Sequence, residues 1–206
     1  MPVTTDGRDL TTAYREINVE LWKRFEEGRI EPDELKIERF RRLVEILDFS
    51  AVSRPVDPAI LNRQFISRLR RCGEVVPTAS QVLRAIAPVV VVTNGFADVQ
   101  RPRLEASGLG EYIEEVFISE EIGAAKPQRA FFDHVLSRLG GADPSECVMI
   151  GDSLSSDIVG GNRAGIDTVW LDRSAMLGET APEPTGERRP TRRITRLVEL
   201  RDIILS

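Results

Sequence analysis

The sequence predicts a parallel α/β domain preceded by a helical segment. Four short apolar runs, Val89–Val92, Val116–Ile118, Cys147–Ile150 and Thr168–Leu171, are separated by stretches with helical patterning. Strands that alternate with helices build a parallel sheet. Val89 to Val92 is β-branched throughout, as expected of a strand covered on both faces. Before Gly73 the apolar residues recur only at helical spacing. The expected division is a helical domain over residues 1–75 and an α/β core over residues 76–206.

The elements follow in order. Val19, Leu21, Trp22 and Phe25 mark a first helix. Leu35, Ile37, Phe40, Leu43, Val44 and Leu47 mark a second, with Pro32-Asp33 as its start signal. Asp57-Pro58 opens a third, which carries Ile60, Leu61, Phe65, Ile66 and Leu69. Past Gly73 come a short helix over Pro77–Ile86, the Val89 strand, a helix over Pro102–Gly108 and the Val116 strand. Arg129–Leu139 reads as a helix stopped by Gly140-Gly141. The Cys147 strand, a helix opened by Asp157 and ended near Gly165, and the Thr168 strand complete the core. Residues 173–192, rich in Pro, Gly, Glu and Arg, read as a solvated loop holding Arg188, Arg189, Arg192 and Arg193. Ile194 to Leu205 reads as a closing strand turn and helix.

Composition excludes several classes. The chain has 206 residues, 41% apolar and 30% charged, as in an ordinary globular protein that can bury a good core. A net charge of −5 argues against a nucleic-acid partner. No apolar run approaches the roughly 20 residues that span a bilayer, and Met1-Pro-Val-Thr-Thr-Asp6 lacks a signal pattern. Cys72 and Cys147 are too few for a disulfide framework, and Cys147 reads as a small buried apolar residue. The expected location is cytoplasmic, with no membrane partner. Among the 28 basic residues only Lys23, Lys36 and Lys126 are lysines, so Lys126 stands out against an arginine background.

Three strand ends carry polar residues. Thr93-Asn94-Gly95 follows the Val89 strand with a hydroxyl, an amide and backbone N–H groups suited to phosphate oxygens. Lys126-Pro127 lies ahead of the Arg129 helix, and a lysine ammonium is a compact charge that can neutralise a phosphoryl group. Gly151-Asp152 and Asp157 follow the third strand. Mg²⁺ is held by one or two carboxylates together with water and phosphate oxygens, so Asp152 suits a direct ligand. Asp157 suits either Lys126 or a metal-bound water. Each group alone has an ordinary reading: a turn, a surface lysine, an acid favouring a helix N-terminus. In an open α/β sheet, however, ligands bind outside the carboxyl ends of the strands, which is where all three fall.

In this order the three groups resemble the haloacid dehalogenase-like (HAD) hydrolase superfamily. Thr93 matches its second motif, Lys126-Pro127 its third, and Gly151, Asp152 and Asp157 its fourth. Gly160-Gly-Asn-Arg-Ala-Gly165 and Ile118-Ser-Glu-Glu-Ile-Gly123 look like the subgroup of pyrimidine 5′-nucleotidases and N-acylneuraminate 9-phosphatase. The similarity is clear over residues 77–172 and weaker over the helical N-terminus, which looks like the family's cap. The resemblance implies a doubly wound, Rossmann-like core with a helical cap, Mg²⁺ as cofactor and a small phosphomonoester, such as a nucleotide, as substrate. It gives Thr93, Asn94 and Lys126 to phosphate. Asp152 and Asp157 fall to the metal, and Lys126 and Asp157 to catalysis.

One departure bears on activity. The family's first motif is an apolar strand ending Asp-x-Asp, whose first acid attacks phosphorus. Asp6-Gly-Arg-Asp9 is the nearby candidate, but its spacing differs and no apolar strand precedes it. Covalent phosphoryl transfer needs a positioned nucleophile, so this chain is expected to bind phosphate without turning it over. The family places the first strand between the strands carrying Thr93 and Asp152. Its absence is expected to leave two strand edges open, at about 1–3 kcal/mol per unsatisfied buried group. Three resolutions are open: an upstream start, which we favour, closing of the two flanking strands, or another segment in the slot. The alternatives to a phosphatase are a non-catalytic phosphate-ligand binding protein and, in a full-length form, dehalogenase-type chemistry. A dinucleotide fold is excluded, because Gly160, Gly161 and Gly165 neither match Gly-x-Gly-x-x-Gly nor open a helix.

Overall fold

The parallel sheet forms, but in two pieces. In the computed structural model, which describes residues 9–47, 56–174, 180–181 and 183–204, strand β1 (Val89–Thr93) pairs only with β2 (Ile113–Ile118). Strands β3 (Val148–Gly151), β4 (Asp167–Leu171) and β5 (Arg192–Ile194) make a second sheet in that order. All neighbours are parallel, with Thr93 beside Ile118, Gly151 beside Trp170 and Leu171 beside Ile194. The strands flanking the expected gap therefore have not closed up, and no described strand occupies the place between β1 and β3.

The chain divides into two compact units, Met1–Arg71 and Cys72–Ser206. The first holds helices α1 (Leu10–Glu26), α2 (Pro32–Glu45) and α3 (Pro58–Leu69). Their starts follow local chemistry. The carboxylate of Asp9 accepts from the Thr12 N–H at 3.0 Å and that of Asp57 from the Ala59 N–H at 2.8 Å, which satisfies donors left over at a helix start. Asp9, half of the Asp6–Asp9 candidate, is thus a helix cap. Asp6 lies outside the described residues. Leu21, Leu35, Phe40, Leu43 and Ile66 form the core of this unit. Tyr14, Phe40 and Phe65 make a ring cluster with centroids 5.4–5.8 Å apart. The buried Arg39 guanidinium lies over Phe40 and Phe65 and donates to Asn62 Oδ1 at 3.2 Å.

In the second unit, α4 (Ala79–Ile86), α5 (Ala97–Ser107), α6 (Ser119–Ile122), α7 (Arg129–Arg138), α8 (Val159–Ala164) and α9 (Leu200–Ile204) surround the strands. Successive strand residues point to opposite faces, and β3 shows the result. Met149 joins a cluster with Phe117, Phe131, Phe132 and Val135, while Ile150 packs against Val82, Val169 and Leu200. Helices therefore cover both faces, the doubly wound arrangement. Val90 and Val92 of β1 pack on the same cluster as Met149, so one apolar floor runs beneath both sheet pieces.

Three elements differ from the sequence reading. Helix α5 starts at Ala97, with Pro102 inside it rather than at its start. Leu154–Ile158 forms a π-helical turn leading into α8, so Asp157 sits inside a turn instead of opening a helix. Arg192 and Arg193 belong to β5 rather than to a solvated loop. Arg193 donates from Nη2 to the buried Asp172 carboxylate at 2.6 Å and lies over the Trp170 ring. Cys147 is half-buried just ahead of β3, where burial pushes its thiol pKa up. Cys72 is exposed.

Candidate functional site

The carboxyl ends of β1 and β3 meet on either side of one side chain. Lys126 is buried, and its Nζ donates to the Val92 carbonyl and to Asp157 Oδ1, both at 2.7 Å. Asp157 is buried as well, and its Oδ2 accepts from the Ser153 N–H at 3.0 Å. Two charges out of water are costly unless paired and hydrogen-bonded, and this pair meets both conditions.

Local sequence explains how the pair is placed. The π turn brings the Asp157 N–H and the Ile158 N–H onto the same Ser153 carbonyl, at 3.0 and 3.2 Å, and so turns the Asp157 side chain back beneath β3. Gly151 makes room for it, since a Cβ there would sit 2.1 Å from Asp157 Oδ2. On the other side, Asn94 clamps the lysine loop. Its Nδ2 donates to the Lys126 carbonyl at 2.8 Å and its Oδ1 accepts from the Lys126 N–H at 2.9 Å. Gly160 lets α8 approach this loop, where a Cβ would come 3.1 Å from Pro127 Cα and 2.4 Å from the Phe132 ring.

Thr93, Asn94, Lys126 and Asp157 are thus brought together. Asn94 has both ends of its amide on the Lys126 backbone, where it positions the lysine. Thr93 Oγ1 accepts from the Gly95 N–H at 2.9 Å, which leaves its hydroxyl hydrogen free to donate. Asp152 stands apart from the lysine pair. Its half-exposed carboxylate receives Arg173 Nη1 at 3.1 Å, and its backbone carbonyl accepts from Trp170 Nε1 at 3.2 Å.

Three further residues bear on the site. Ser153 anchors Asp157, Arg173 answers Asp152, and Ser119, at the end of β2 beside Thr93, has a buried Oγ with no hydrogen-bond partner among the described residues. Each follows or nearly follows a strand end, and position was the signal that could have found them.

A magnesium ion fits these residues only in part. Asp152 offers one accessible carboxylate, whereas both oxygens of Asp157 are engaged. No group of three His, Cys, Asp or Glu side chains that could hold a metal occurs among the described residues. Mg²⁺ bound by one carboxylate must take its remaining ligands from water and phosphate oxygens.

Buried lysine, paired acid and strand-end hydroxyl at the carboxyl edge of a doubly wound sheet define an α/β hydrolase-type site. The chain belongs to the haloacid dehalogenase-like hydrolases, whose family pattern it matches over residues 3–165. It is 38% identical over 162 residues to the pyrimidine 5′-nucleotidase YjjG of Escherichia coli, covering 77% of this chain and 69% of that protein. It is 36% identical over 100 residues to the N-acylneuraminate-9-phosphatase of Mus musculus, covering 48% and 40%. The crystal structure of the HAD-hydrolase YfnB of Bacillus subtilis bound to magnesium superposes with a TM-score of 0.81 at 31% identity, over 99% of this chain and 85% of that one. No helix among the described residues is long and apolar enough to cross a membrane.

Proposed function

We propose that this chain recognises small phosphomonoesters, nucleoside monophosphates among them, in the manner of a HAD-like phosphatase, and that its described residues bind the ester without hydrolysing it. The observation that carries this reading is the Lys126 ammonium, held between Val92 and Asp157 beside Thr93. A phosphoryl group placed outside the strand ends meets the lysine charge and the Thr93 hydroxyl. Asn94 keeps the loop rigid, and Asp157 fixes the ammonium. Asp152 supplies one ligand to a Mg²⁺ that the phosphate would share. The metal contributes positive charge toward the phosphate oxygens when bound. The helical unit acts as the cap over residues 1–75, and the protein works in the cytoplasm.

Binding without turnover follows from the acids available. Asp157 is held by Lys126 and Ser153, Asp9 caps a helix, and Asp152 faces Arg173. None is placed as an unencumbered nucleophile next to Thr93 and Lys126. The test titrates the 206-residue chain with inorganic phosphate and with uridine monophosphate, with and without Mg²⁺, and assays phosphate release from the nucleotide. Saturable binding in the millimolar range, about −4 kcal/mol, is expected, lost in Lys126→Ala, with release at the buffer rate. Mg²⁺-dependent release that disappears in Asp152→Asn overturns the claim of inactivity. Absence of any binding overturns the site.

A further inference from the structure

We propose that the place between β1 and β3 is a docking slot for one extended, apolar peptide segment that adds a parallel strand and joins the two sheet pieces. Four observations on the α/β unit point to it. The two pieces are parallel within themselves, and β1 and β3 each have a strand partner on one side only among the described residues. Their carboxyl ends are tied to one side chain, since Lys126 reaches the Val92 carbonyl and Asp157 at 2.7 Å each. The strands therefore run the same way and border the same space. The floor beneath it is continuous and apolar, because Val90, Val92 and Met149 share a cluster with Phe131 and Phe132. Finally, apolar surface is left open along both borders. All of β1 is only half-buried, and Val148 at the start of β3 is 47% exposed.

An open strand edge presents unpaired N–H and C=O groups that template another strand. An added strand of this kind draws affinity from main-chain hydrogen bonds and specificity from alternate side chains. Here two edges face one slot, so both sides of a single inserted strand find partners. The occupant must be parallel to both. It must also match β1 and β3, which have five and four residues, and carry apolar, β-branched side chains to lie on the floor. A second copy of the chain does not meet these demands, because two-fold pairing of identical edges is antiparallel. This inference is independent of the phosphate reading, as strand pairing is read by binding and exchange without any phosphate.

The experiment uses the full 206-residue chain and the synthetic peptide Lys-Lys-Val-Ile-Val-Ile-Val-Gly-Lys, with a control carrying Pro for its central Val. Hydrogen exchange is followed on segments 89–93, 148–151 and 192–194. Stoichiometric, saturable binding is expected, with exchange slowed at least tenfold in the first two segments and unchanged at β5, and with the Pro peptide inert. Equal binding of the Pro peptide, or protection at β5 instead, overturns the slot in favour of general stickiness. Protection of β1 and β3 in the chain alone, rising with protein concentration, overturns the peptide as occupant and assigns the slot to a second copy. No binding at millimolar peptide also overturns it.

Discussion

The two units handle charge in opposite ways. On the helical unit, Arg41 and Arg42 share Glu38 at 2.6 and 2.9 Å, Arg42 also reaches Glu20 at 2.9 Å, and Arg41 pairs with Glu45. Arg41, Glu20 and Glu45 are more than half exposed. On the α/β unit, the Lys126–Asp157 pair is nearly sealed, with side-chain exposures of 7% and 8%. Exposed pairs cost little to form and contribute little. A buried pair carries a large desolvation penalty, and well-packed apolar residues of similar volume commonly match its stability. The surface ladder is therefore replaceable, whereas the buried pair is kept for what its ammonium can do at the strand ends.

The largest expected effect breaks the buried pair. Lys126→Met leaves Asp157 charged in an apolar setting and should destabilise the fold by about 3–5 kcal/mol, read by urea unfolding. The double variant Lys126→Met/Asp157→Leu should recover most of that loss yet bind no phosphate. A single variant within about 1 kcal/mol of the parent would show that the pair is no more burdened than the surface ladder.

Gly151→Ala tests the geometry that seats the acid. The added Cβ would lie 2.1 Å from Asp157 Oδ2 and 2.4 Å from its Cγ, so Asp157 must move away from Lys126. Overpacking of this kind costs about 1–3 kcal/mol, and phosphate affinity should fall with it. Unchanged stability and affinity would mean that the carboxylate has other room, and the contrast with the surface pairs would narrow.

Much of this was legible in the sequence, for physical reasons that differ by region. The all-valine run of β1 and the helical stripes of Leu35, Phe40 and Leu43 are periodic signals that burial enforces. The division of the sheet could be anticipated, because a parallel strand between Thr93 and Asp152 had no counterpart. Its outcome, with edges left open rather than closed up, depends on tertiary packing over a shared floor and was not readable from any local run. Asp157 inside a π turn was missed because Asp after a strand looks like a helix opener, and the extra backbone residue leaves no compositional trace. The Asn94 clamp was hidden for a related reason. Asparagine after a strand suits a phosphate, and only the 32-residue-distant contact with the Lys126 backbone shows its amide engaged. Arg193 looked solvated until Asp172 and Trp170 came beside it.

Arg173→Ala sharpens the comparison within the α/β unit, where an exposed pair lies near the buried one. Arg173 and Asp152 are each about half exposed, at 3.1 Å, so stability should change by less than about 0.5 kcal/mol. Removing the arginine frees Asp152 for a cation. Mg²⁺ affinity measured by calorimetry should rise by up to about fivefold, the equivalent of about 1 kcal/mol for an exposed pair. A fall in Mg²⁺ affinity would mean that Arg173 orients Asp152 rather than competing for it.

The smallest effect belongs to the helical ladder, and it is pH-dependent. The Arg41 hydrogen bond, reinforced by Arg42 against some desolvation, holds the Glu38 carboxyl down at about 2 from an ordinary 4.5. A carboxylate whose pKa is depressed in the folded state stabilises the fold above its unfolded pKa, and that contribution is lost as protons bind. The Glu38 contribution should be complete above pH 4.5, shrink as the pH falls and be gone below about 2. Solvent around Arg41 screens it to less than about 1 kcal/mol. Subtracting the unfolding curves of Glu38→Gln from those of the parent between pH 2 and pH 7 isolates this component from the other acids. A difference that instead stays constant with pH would assign Glu38 a packing role between α1 and α2. The ladder would then have no electrostatic part in the stability of the helical unit, and the buried pair would be left as the ionic interaction on which folding measurably depends.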